Sequence, residues 1–219
     1  MADFFIRPYE SRDYDVVRAL FAEGVMDYRP STFMYLLRLR PIQVTVLVSF
    51  VALYLVFRSF LVSWLGLVAL LALGYLCVII AFQKIVTKAY NMDLQNIEES
   101  YTARPNSTFF VAESNGRVVG MVGVQPVQGS HREVELRRLC VAKDQRHKGI
   151  AKTLCWHVID FARQRGFHHV TLNTSTIQHA AHKLYRNMGF RVTKSKPVSH
   201  PIGRYLNVTV TYYSYDIKS

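Results

Sequence analysis

The chain has 219 residues, of which 50% are hydrophobic, and its 27 lysines and arginines against 15 acidic residues give a formal net charge of +12. This length suits one domain with an insertion, and the positive charge indicates a polyanionic ligand or an anionic membrane surface. The basic residues are scattered and form no recognisable nucleic-acid-binding module, so we expect no direct nucleic-acid binding. The three cysteines do not form a disulfide framework and no Cys/His spacing resembles a zinc site, so we expect structural thiols and no metal.

The first part of the chain predicts a strand followed by an amphipathic helix. Phe4–Arg7 is typical of a short strand, and Ser11–Asp13 offers helix N-cap residues. Asp15–Met26 then places apolar side chains on one side of a helix, among them Val17 and Leu20.

An apolar run comes next. Ile42–Phe82 is almost uninterrupted, and Arg58 is its only charged residue. A spanning helix needs about 20 apolar residues, so the run is long enough for two. We predict a helical hairpin with its turn near Ser59–Gly66, beside Arg58, whose long stem can reach the far interface. Because each half is then short for a full crossing, a re-entrant hairpin remains an alternative.

The flanks of the run predict its orientation. The strand and helix before it must join a domain completed by the residues after it, which requires an even number of crossings; a single crossing is the less favoured alternative. Basic residues on both sides place both ends in the cytosol: Arg38, Arg40, Lys84 and Lys88. Three N-glycosylation sequons, at Asn106, Asn173 and Asn207, would then lie in the cytosol, and we expect none to be modified.

Beyond residue 90 the pattern alternates between strands and helices. The Asn115–Gly116 pair is a strong turn signal between two strands. The predicted strands are 108–113, 117–124, 134–142, 170–174, 190–194 and 208–215, and the predicted helices are 152–164 and 177–187. This order predicts a mixed sheet with helices on both faces.

The most informative run connects the strand 134–142 to the helix that begins near Lys152. It reads Arg146, His147, Lys148, Gly149, Ile150, Ala151. Glycine lets the backbone approach a ligand closely, and the first N–H groups of a helix can hold an anion. We therefore predict a pyrophosphate cradle, to which Arg146 and Lys148 add positive charge.

A second motif, Ala181 to Phe190, reads Ala-His-Lys-Leu-Tyr-Arg-Asn-Met-Gly-Phe. Together the two motifs resemble those of the GNAT superfamily of N-acetyltransferases, in which Arg/Gln-x-x-Gly-x-Gly/Ala follows a central strand and Ala-x-x-Leu-Tyr-x-x-x-Gly-Phe lies on a later helix. The resemblance implies an α/β fold with a mixed sheet, here interrupted by a transmembrane hairpin. The expected organisation is the first strand and helix of the acetyltransferase domain in 1–40, the membrane hairpin in 41–84 and the rest of the domain in 85–219.

The resemblance also implies an acid and a base for acetyl transfer from acetyl-CoA to an amine. Glu135 lies at the offset from Gly149 at which lysine acetyltransferases of this superfamily carry their base; Glu133 is the second candidate. The alternative for Glu135 is a strand carboxylate paired with Arg137 or Arg138. Tyr185 matches the tyrosine that sits near the coenzyme A sulfur and would act as the acid, unless it is only an aromatic core residue.

The resemblance further assigns contacts to acetyl-CoA. The backbone of Leu139 and Val141 would pair with its pantetheine arm, and a backbone N–H of the same strand would meet the oxyanion. The pyrophosphate would be held by Arg146, His147, Lys148, Gly149, Ile150, Ala151 and Lys152. Gln178 stands where many members carry an asparagine that touches the cofactor, which is a departure from the family pattern.

The apolar insertion and the two motifs together look like the N-acetyltransferase 8 and camello group, whose members are endoplasmic-reticulum membrane proteins. The acceptors of that group are cysteine S-conjugates, aspartate, or lysines of proteins including histones. This implies an acceptor amine on a small amphiphile, such as a cysteine S-conjugate, or on a protein lysine, with a slight preference for the small molecule. In this superfamily the loop after the first helix helps to wall the acceptor site, so we expect acceptors to arrive from the bilayer surface. A catalytically inactive protein that shapes membranes or binds anionic lipid is the remaining alternative.

Overall fold

The structure is a computed structural model and describes residues 4–197 and 208–217. Its contacts divide the chain into two units. The first comprises residues 1–24 and 86–219, and the second comprises residues 25–85.

The first unit is built on a seven-stranded sheet. Its strands are β1 (Phe5–Pro8), β2 (Thr108–Ser114), β3 (Arg117–Pro126), β4 (Glu133–Val141), β5 (His169–Ser175), β6 (Arg191–Pro197) and β7 (Thr209–Asp216). They lie in the order β1-β2-β3-β4-β5-β7-β6. The pair β4–β5 is parallel and the other neighbours are antiparallel. The predicted mixed α/β class is confirmed.

Helices cover both faces of this sheet: α1 (Tyr14–Met26) one face, and α5 (Ile150–Gln164) the other. The glycines show which helix packs at which strand residue. A Cβ on Gly24 of α1 would lie 2.2 Å from the sulfur of Cys140 in β4, so α1 packs on the face to which Cys140 points. A Cβ on Gly120 of β3 would lie 3.0 Å from Ile150, so α5 packs on the face to which Gly120 points. Gly120 pairs with Val141, the neighbour of Cys140. Because adjacent strand residues point to opposite faces, the two helices lie on opposite sides. The third helix of the unit is α6 (His179–Asn187).

The core lies between these helices and the sheet. Its fully buried side chains include Val17, Leu94, Ile97, Met121, Leu154, Ile159 and Leu172. A turn of π-helix, Glu98–Thr102, adds the buried Tyr101 on the α1 side. There Gly123 lacks the side chain that would otherwise meet the Tyr101 ring, since a Cβ would lie 2.6 Å from it.

The second unit consists of α2 (Arg29–Leu37), α3 (Arg40–Phe57) and the first part of α4 (Phe60–Tyr90). By length and composition, α3 and α4 are both able to cross a membrane. None of the most apolar window of α3 and 11% of that of α4 is buried inside the protein. A core helix of a soluble protein would be mostly buried, so the apolar faces of both helices remain to be covered by something else.

The break between α3 and α4 is shorter than the predicted range and lies at its start. Arg58 ends α3 in the left-handed conformation, with φ 50°, and α4 begins at Phe60. The expectation of a turn extending to Gly66 is wrong, because Gly66 is helical. A Cβ there would lie 2.4 Å from Leu53 of α3, so the glycine permits close packing of the two helices.

The helix α2 was not predicted from the sequence. Pro30 occupies its first turn, where the missing N–H is harmless. Phe33 of α2 packs edge-to-face on Tyr75 of α4, with ring centroids 5.3 Å apart. An aromatic contact with a residue distant in the sequence thus stabilises a helix that is too short to be evident from its own periodicity.

Candidate active site

The parallel strands β4 and β5 separate at the centre of the sheet. They pair over Glu133–Glu135 and His169–Thr171, although β4 continues to Val141 and β5 to Ser175. In the described part of the chain, no strand pairs with this side of β4 beyond Glu135. The main chain of Leu139 and Val141, which the sequence assigned to the pantetheine arm, therefore borders an opening between the carboxyl ends of two parallel strands.

A bulge in β4 lies beside this opening. Met121 of β3 pairs with Cys140 and Gly123 pairs with Arg137, so Val122 faces two residues of β4, Arg138 and Leu139. One extra residue in a strand bends it and changes the direction of the residues after it. Arg138 adopts φ 58°, a conformation unfavourable for a residue with a side chain.

The Arg138 side chain is anchored by Asp93. Its Nε donates to Asp93 Oδ2 at 3.0 Å and its second amino group lies against Oδ1. The Tyr101 hydroxyl also donates to Asp93, and the guanidinium lies 4.9 Å from the centroid of the Phe21 ring. Burial favours a raised pKa for Asp93, but the hydrogen bonds from Arg138 and Tyr101 outweigh it and hold the pKa below its usual range.

Sequence reasoning missed this cluster. Asp93 and Tyr101 lie in a polar stretch with no motif, and Asp93 contacts β4 across 45 residues of chain. One signal was present: the adjacent pair Arg137 and Arg138 breaks the alternation of a central strand, which is typical of a bulge.

Glu135 lies on β4 before the bulge, with its side chain about one-third exposed. Its Oε1 accepts from Asn173 of β5 at 2.8 Å, and its Oε2 lies 3.7 Å from Arg137 Nε. Arg137 also donates to Gln125 at 2.6 Å. Glu135 therefore has the strand contacts expected of a paired carboxylate, and it lies next to the opening where a base would be needed. By alternation Glu133 shares its face.

The loop after β4 ends in a helix start with available N–H groups. Gly149 caps α5 with φ 86°, and the first helical bond is donated by Thr153 N to Gly149 O at 3.0 Å. The N–H groups of Ile150, Ala151 and Lys152 consequently have no intrahelical partner. A Cβ on Gly149 would meet nothing within 4 Å, so the space above it is open.

The side chains of this loop divide into two kinds. Arg146, His147, Lys148 and Lys152 are exposed, whereas Ile150 is buried in the core and can offer a ligand only its backbone. Arg146 Nε donates to Val141 O at 3.3 Å, which ties the loop to the end of β4. The loop is thus a concentrated positive surface around a helix N-terminus, the arrangement that binds phosphate groups.

The second predicted site element lies on α6. Tyr185 is 5% exposed, and its ring packs against Phe190 and Tyr213 with centroids 5.6 and 5.8 Å away. The ring is thus a core residue, as one of the two sequence interpretations required. Gln178, just before α6, accepts from Thr174 Oγ1 at 2.6 Å and from Ser175 N at 3.2 Å. Its carbonyl oxygen therefore shapes the β5–α6 turn.

His182 is a further residue that sequence reasoning did not select. Its Nε2 lies 3.1 Å from Ser175 O and its Nδ1 lies 2.7 Å from the Tyr213 hydroxyl. A carbonyl only accepts, so Nε2 donates to Ser175 O. This pair fixes the β5–α6 turn against the ring that packs on Tyr185.

These elements share one edge of the sheet. Because β4 and β5 are parallel, their carboxyl ends meet at the same edge, where α5 and α6 also begin. Ligands of open α/β sheets bind at this edge. Among residues 4–197 and 208–217, no three His, Cys, Asp or Glu side chains cluster as a metal site requires.

Comparisons with known proteins agree with this arrangement. The family model described as the acetyltransferase (GNAT) family matches residues 78–190. The chain is 39% identical over 219 residues to a probable N-acetyltransferase camello of Xenopus tropicalis, with 100% of both chains covered. It is 35% identical over 222 residues to a probable N-acetyltransferase family 8 member 5 of Mus musculus, covering 100% of this chain and 97% of the relative.

A solved structure of a GNAT family acetyltransferase from Staphylococcus aureus matches with a TM-score of 0.57 and 17% identity, covering 98% of this chain and 99% of the other. At that identity the likeness shows the fold alone. The chain belongs to the GNAT family of acetyltransferases, and is an enzyme of that class. Within the family it groups with the camello and N-acetyltransferase 8 proteins.

Proposed function

We propose that this enzyme moves the acetyl group of acetyl-CoA to the primary amine of a small amphiphile, with the α-amine of cysteine S-conjugates as the preferred class. We further propose that residues 41–84 are a membrane hairpin inserted into the acetyltransferase domain, in the endoplasmic-reticulum membrane, with the domain in the cytosol. The observation that carries the enzymatic proposal is the opening between β4 and β5 with a phosphate-binding helix start at its edge.

The residues at this edge fit coenzyme A. A polyanionic pyrophosphate suits the N–H groups of Ile150, Ala151 and Lys152, and the open space above Gly149 admits it. The exposed Arg146 and Lys148 add positive charge on either side of His147, and the Lys152 ammonium can reach a phosphate. The main chain of Leu139 and Val141, at the side of β4 that β5 leaves unpaired, supplies hydrogen-bonding groups for the amides of a pantetheine arm.

The residues of the opening can support acyl transfer. Acetyl-CoA supplies an activated acyl group, and the chain must do the rest. Glu135, acting through water, accepts a proton so that the amine attacks in its neutral form. A backbone N–H of β4 beyond the bulge stabilises the thioester oxygen as negative charge develops. The Tyr185 hydroxyl donates a proton to the departing thiolate.

The preference for amphiphilic acceptors follows from the second unit. The chain leaves the acetyltransferase unit in the last turn of α1 and returns to it within α4. Two apolar helices in a bilayer would therefore hold that unit at the membrane surface, where lipophilic amines concentrate. Protein lysine acetylation is the second candidate, favoured by the position of Glu135 relative to Gly149.

The cradle is tested by two glycines of similar conformation. Gly149 has φ 86° and Gly116, in the β2–β3 turn, has φ 72°, and a Cβ on either would meet nothing within 4 Å. Both Gly→Ala variants carry similar backbone strain, of about 1 kcal/mol. We expect Gly149→Ala to weaken coenzyme A binding in calorimetry about tenfold or more, because a methyl group enters the space for the pyrophosphate. Gly116→Ala should bind as the wild type does, and equal losses in both would contradict the cradle.

The acceptor class is tested by thiol release from acetyl-CoA with a panel of amines. The panel comprises S-benzylcysteine, S-methylcysteine, aspartate, a polyamine and a histone-tail peptide. We expect S-benzylcysteine to exceed S-methylcysteine in kcat/KM by about tenfold or more, since burial of the larger apolar group contributes about 1.5–3 kcal/mol. A faster reaction of the histone peptide would select the lysine alternative, and no release by protein that binds coenzyme A would exclude every acceptor class in the panel.

The acid and base are tested by conservative variants. Glu135→Gln should lower kcat about 10²-fold or more near neutral pH, and the deficit should shrink at alkaline pH where the amine is already neutral. Glu133→Gln, on the same face of β4, is the matched control; if it alone loses activity, the base is Glu133.

Tyr185→Phe preserves the buried ring, so it should lower kcat with little change in Tm. Undiminished kcat in Tyr185→Phe would leave Tyr185 as a core residue.

The topology is tested by a flexible tag that carries a glycosylation sequon. Inserted between Arg58 and Ser59, it should be glycosylated in microsomal membranes, because a crossing hairpin presents its turn to the lumen. The same tag between Asn115 and Gly116, and the native Asn106 and Asn173, should remain unmodified. An unmodified tag at Arg58 would indicate a re-entrant hairpin, and glycosylation at a native site would reverse the orientation. The third sequon begins at Asn207, outside the described residues.

A further inference from the structure

We infer that Arg138 and Asp93 are positioning residues: their buried ion pair holds the extra residue in β4 and so aims the backbone N–H groups beyond it into the opening. The inference rests on the proposed function for its kinetic readout. It concerns side chains that touch neither acetyl-CoA nor the acceptor in the proposed mechanism.

The backbone conformation of Arg138 is unfavourable and must be stabilised by contacts of its side chain. A left-handed conformation costs a residue with a side chain about 1–2 kcal/mol, and Arg138 adopts φ 58° inside a strand, where glycine would be the ordinary choice. A cost of this kind persists only where surrounding structure determines it. The contacts of the Arg138 side chain are therefore the place to look for the compensation.

Those contacts are strong and directional. The guanidinium approaches both carboxylate oxygens of Asp93, which is 8% exposed, and its own side chain is 17% exposed. Charge-assisted hydrogen bonds with two-point geometry fix orientation as well as distance. The carboxylate is held in turn by the Tyr101 hydroxyl, so it cannot follow Arg138 if the bulge straightens.

The surroundings are shaped to admit this cluster. Tyr101 occupies the space over Gly123, which pairs with Arg137 next to the bulge. Phe21 of α1 covers the guanidinium at 4.9 Å. Through its contacts with Phe21 and Tyr101, the ion pair connects the bulge to α1 and to the π-helical turn. Its acidic member, Asp93, lies shortly after the end of α4 at Tyr90.

The extra residue determines which groups face the opening. Along a strand, side chains alternate between the two faces of the sheet, and backbone groups alternate between the two neighbouring strands. If one residue is lost from the strand, every later side chain therefore points to the other face and every later N–H points to the other neighbour. Without the bulge, the N–H groups that point toward the opening would point toward β3. An ion pair that selects the bulge therefore selects the donors available to a developing oxyanion.

The test uses graded variants of the full chain in detergent. Arg138→Gly can still adopt φ 58° but no longer selects it, Arg138→Lys keeps one donor, and Asp93→Asn keeps the shape and an acceptor for Tyr101. The matched control is Asp13→Asn, because Asp13 is 3% exposed and pairs with Arg7 at 2.6 and 2.8 Å in another part of the unit. This control should lose stability without losing turnover.

We expect Arg138→Gly and Asp93→Asn to lower kcat about 10²-fold, the effect of misplacing one oxyanion donor, with Arg138→Lys losing less. The dissociation constant of coenzyme A should change by less than about threefold, because the phosphate groups are held at α5. A second readout needs no acceptor. The infrared carbonyl band of bound ¹³C-labelled acetyl-CoA should shift to lower wavenumber in the wild type and return toward its solution position in Arg138→Gly.

A wild-type kcat and carbonyl band in Arg138→Gly and Asp93→Asn would overturn the inference. So would a kcat in Asp13→Asn that falls as far as in Asp93→Asn at a temperature where both are folded. If Arg138→Gly does not fold, Asp93→Asn decides the outcome. If the wild type releases no thiol with any acceptor, the acceptor proposal fails, while the carbonyl band still decides the role of the ion pair.

Discussion

The separation of β4 from β5 is the constraint on which the rest of the site depends. Parallel neighbours normally satisfy each other's backbone groups along their shared length, and here the pairing stops at Glu135 and Thr171 although both strands continue. Unpaired groups next to a core are costly unless something else bonds to them. A ligand with amides along its length, as a pantetheine arm has, would satisfy them in the manner of an added strand, which supports the proposal that acetyl-CoA binds here.

The proposed phosphate-binding end of the site results from local backbone chemistry. Gly149 turns the chain with φ 86°, and the helix after it exposes three N–H groups toward open space. This part could be predicted from the sequence because it depends on consecutive residues. The same holds for most strands and helices: β4, expected at 134–142, is Glu133–Val141, and the helix expected at 152–164 is Ile150–Gln164.

The parts that sequence reasoning missed depend on contacts distant in the chain. Arg138 is left-handed because Asp93 and Phe21 hold it, and neither partner is marked by a motif. The helix α2 depends on the contact of Phe33 with Tyr75. The turn between α3 and α4 lies at the start of the range predicted for it, and Gly66, at the end of that range, is helical because its small size serves helix packing. The residues Glu135 and Tyr185 were selected by resemblance, and their contacts allow both a chemical and a structural role.

The same contacts explain how a domain accommodates an apolar insertion. Arg18 and Phe21 precede the second unit, and Tyr90 and Asp93 come after it. The Arg18 guanidinium lies 4.1 Å from the centroid of the Tyr90 ring, whose hydroxyl donates to Arg18 O at 2.7 Å. Since the cost of closing a loop grows only slowly with its length, contacts that join the two ends let the first unit fold as if the insertion were a short loop. Arg138 joins Phe21 and Asp93 at one point of the central strand, so the closure of the insertion and the geometry of the opening depend on the same side chain.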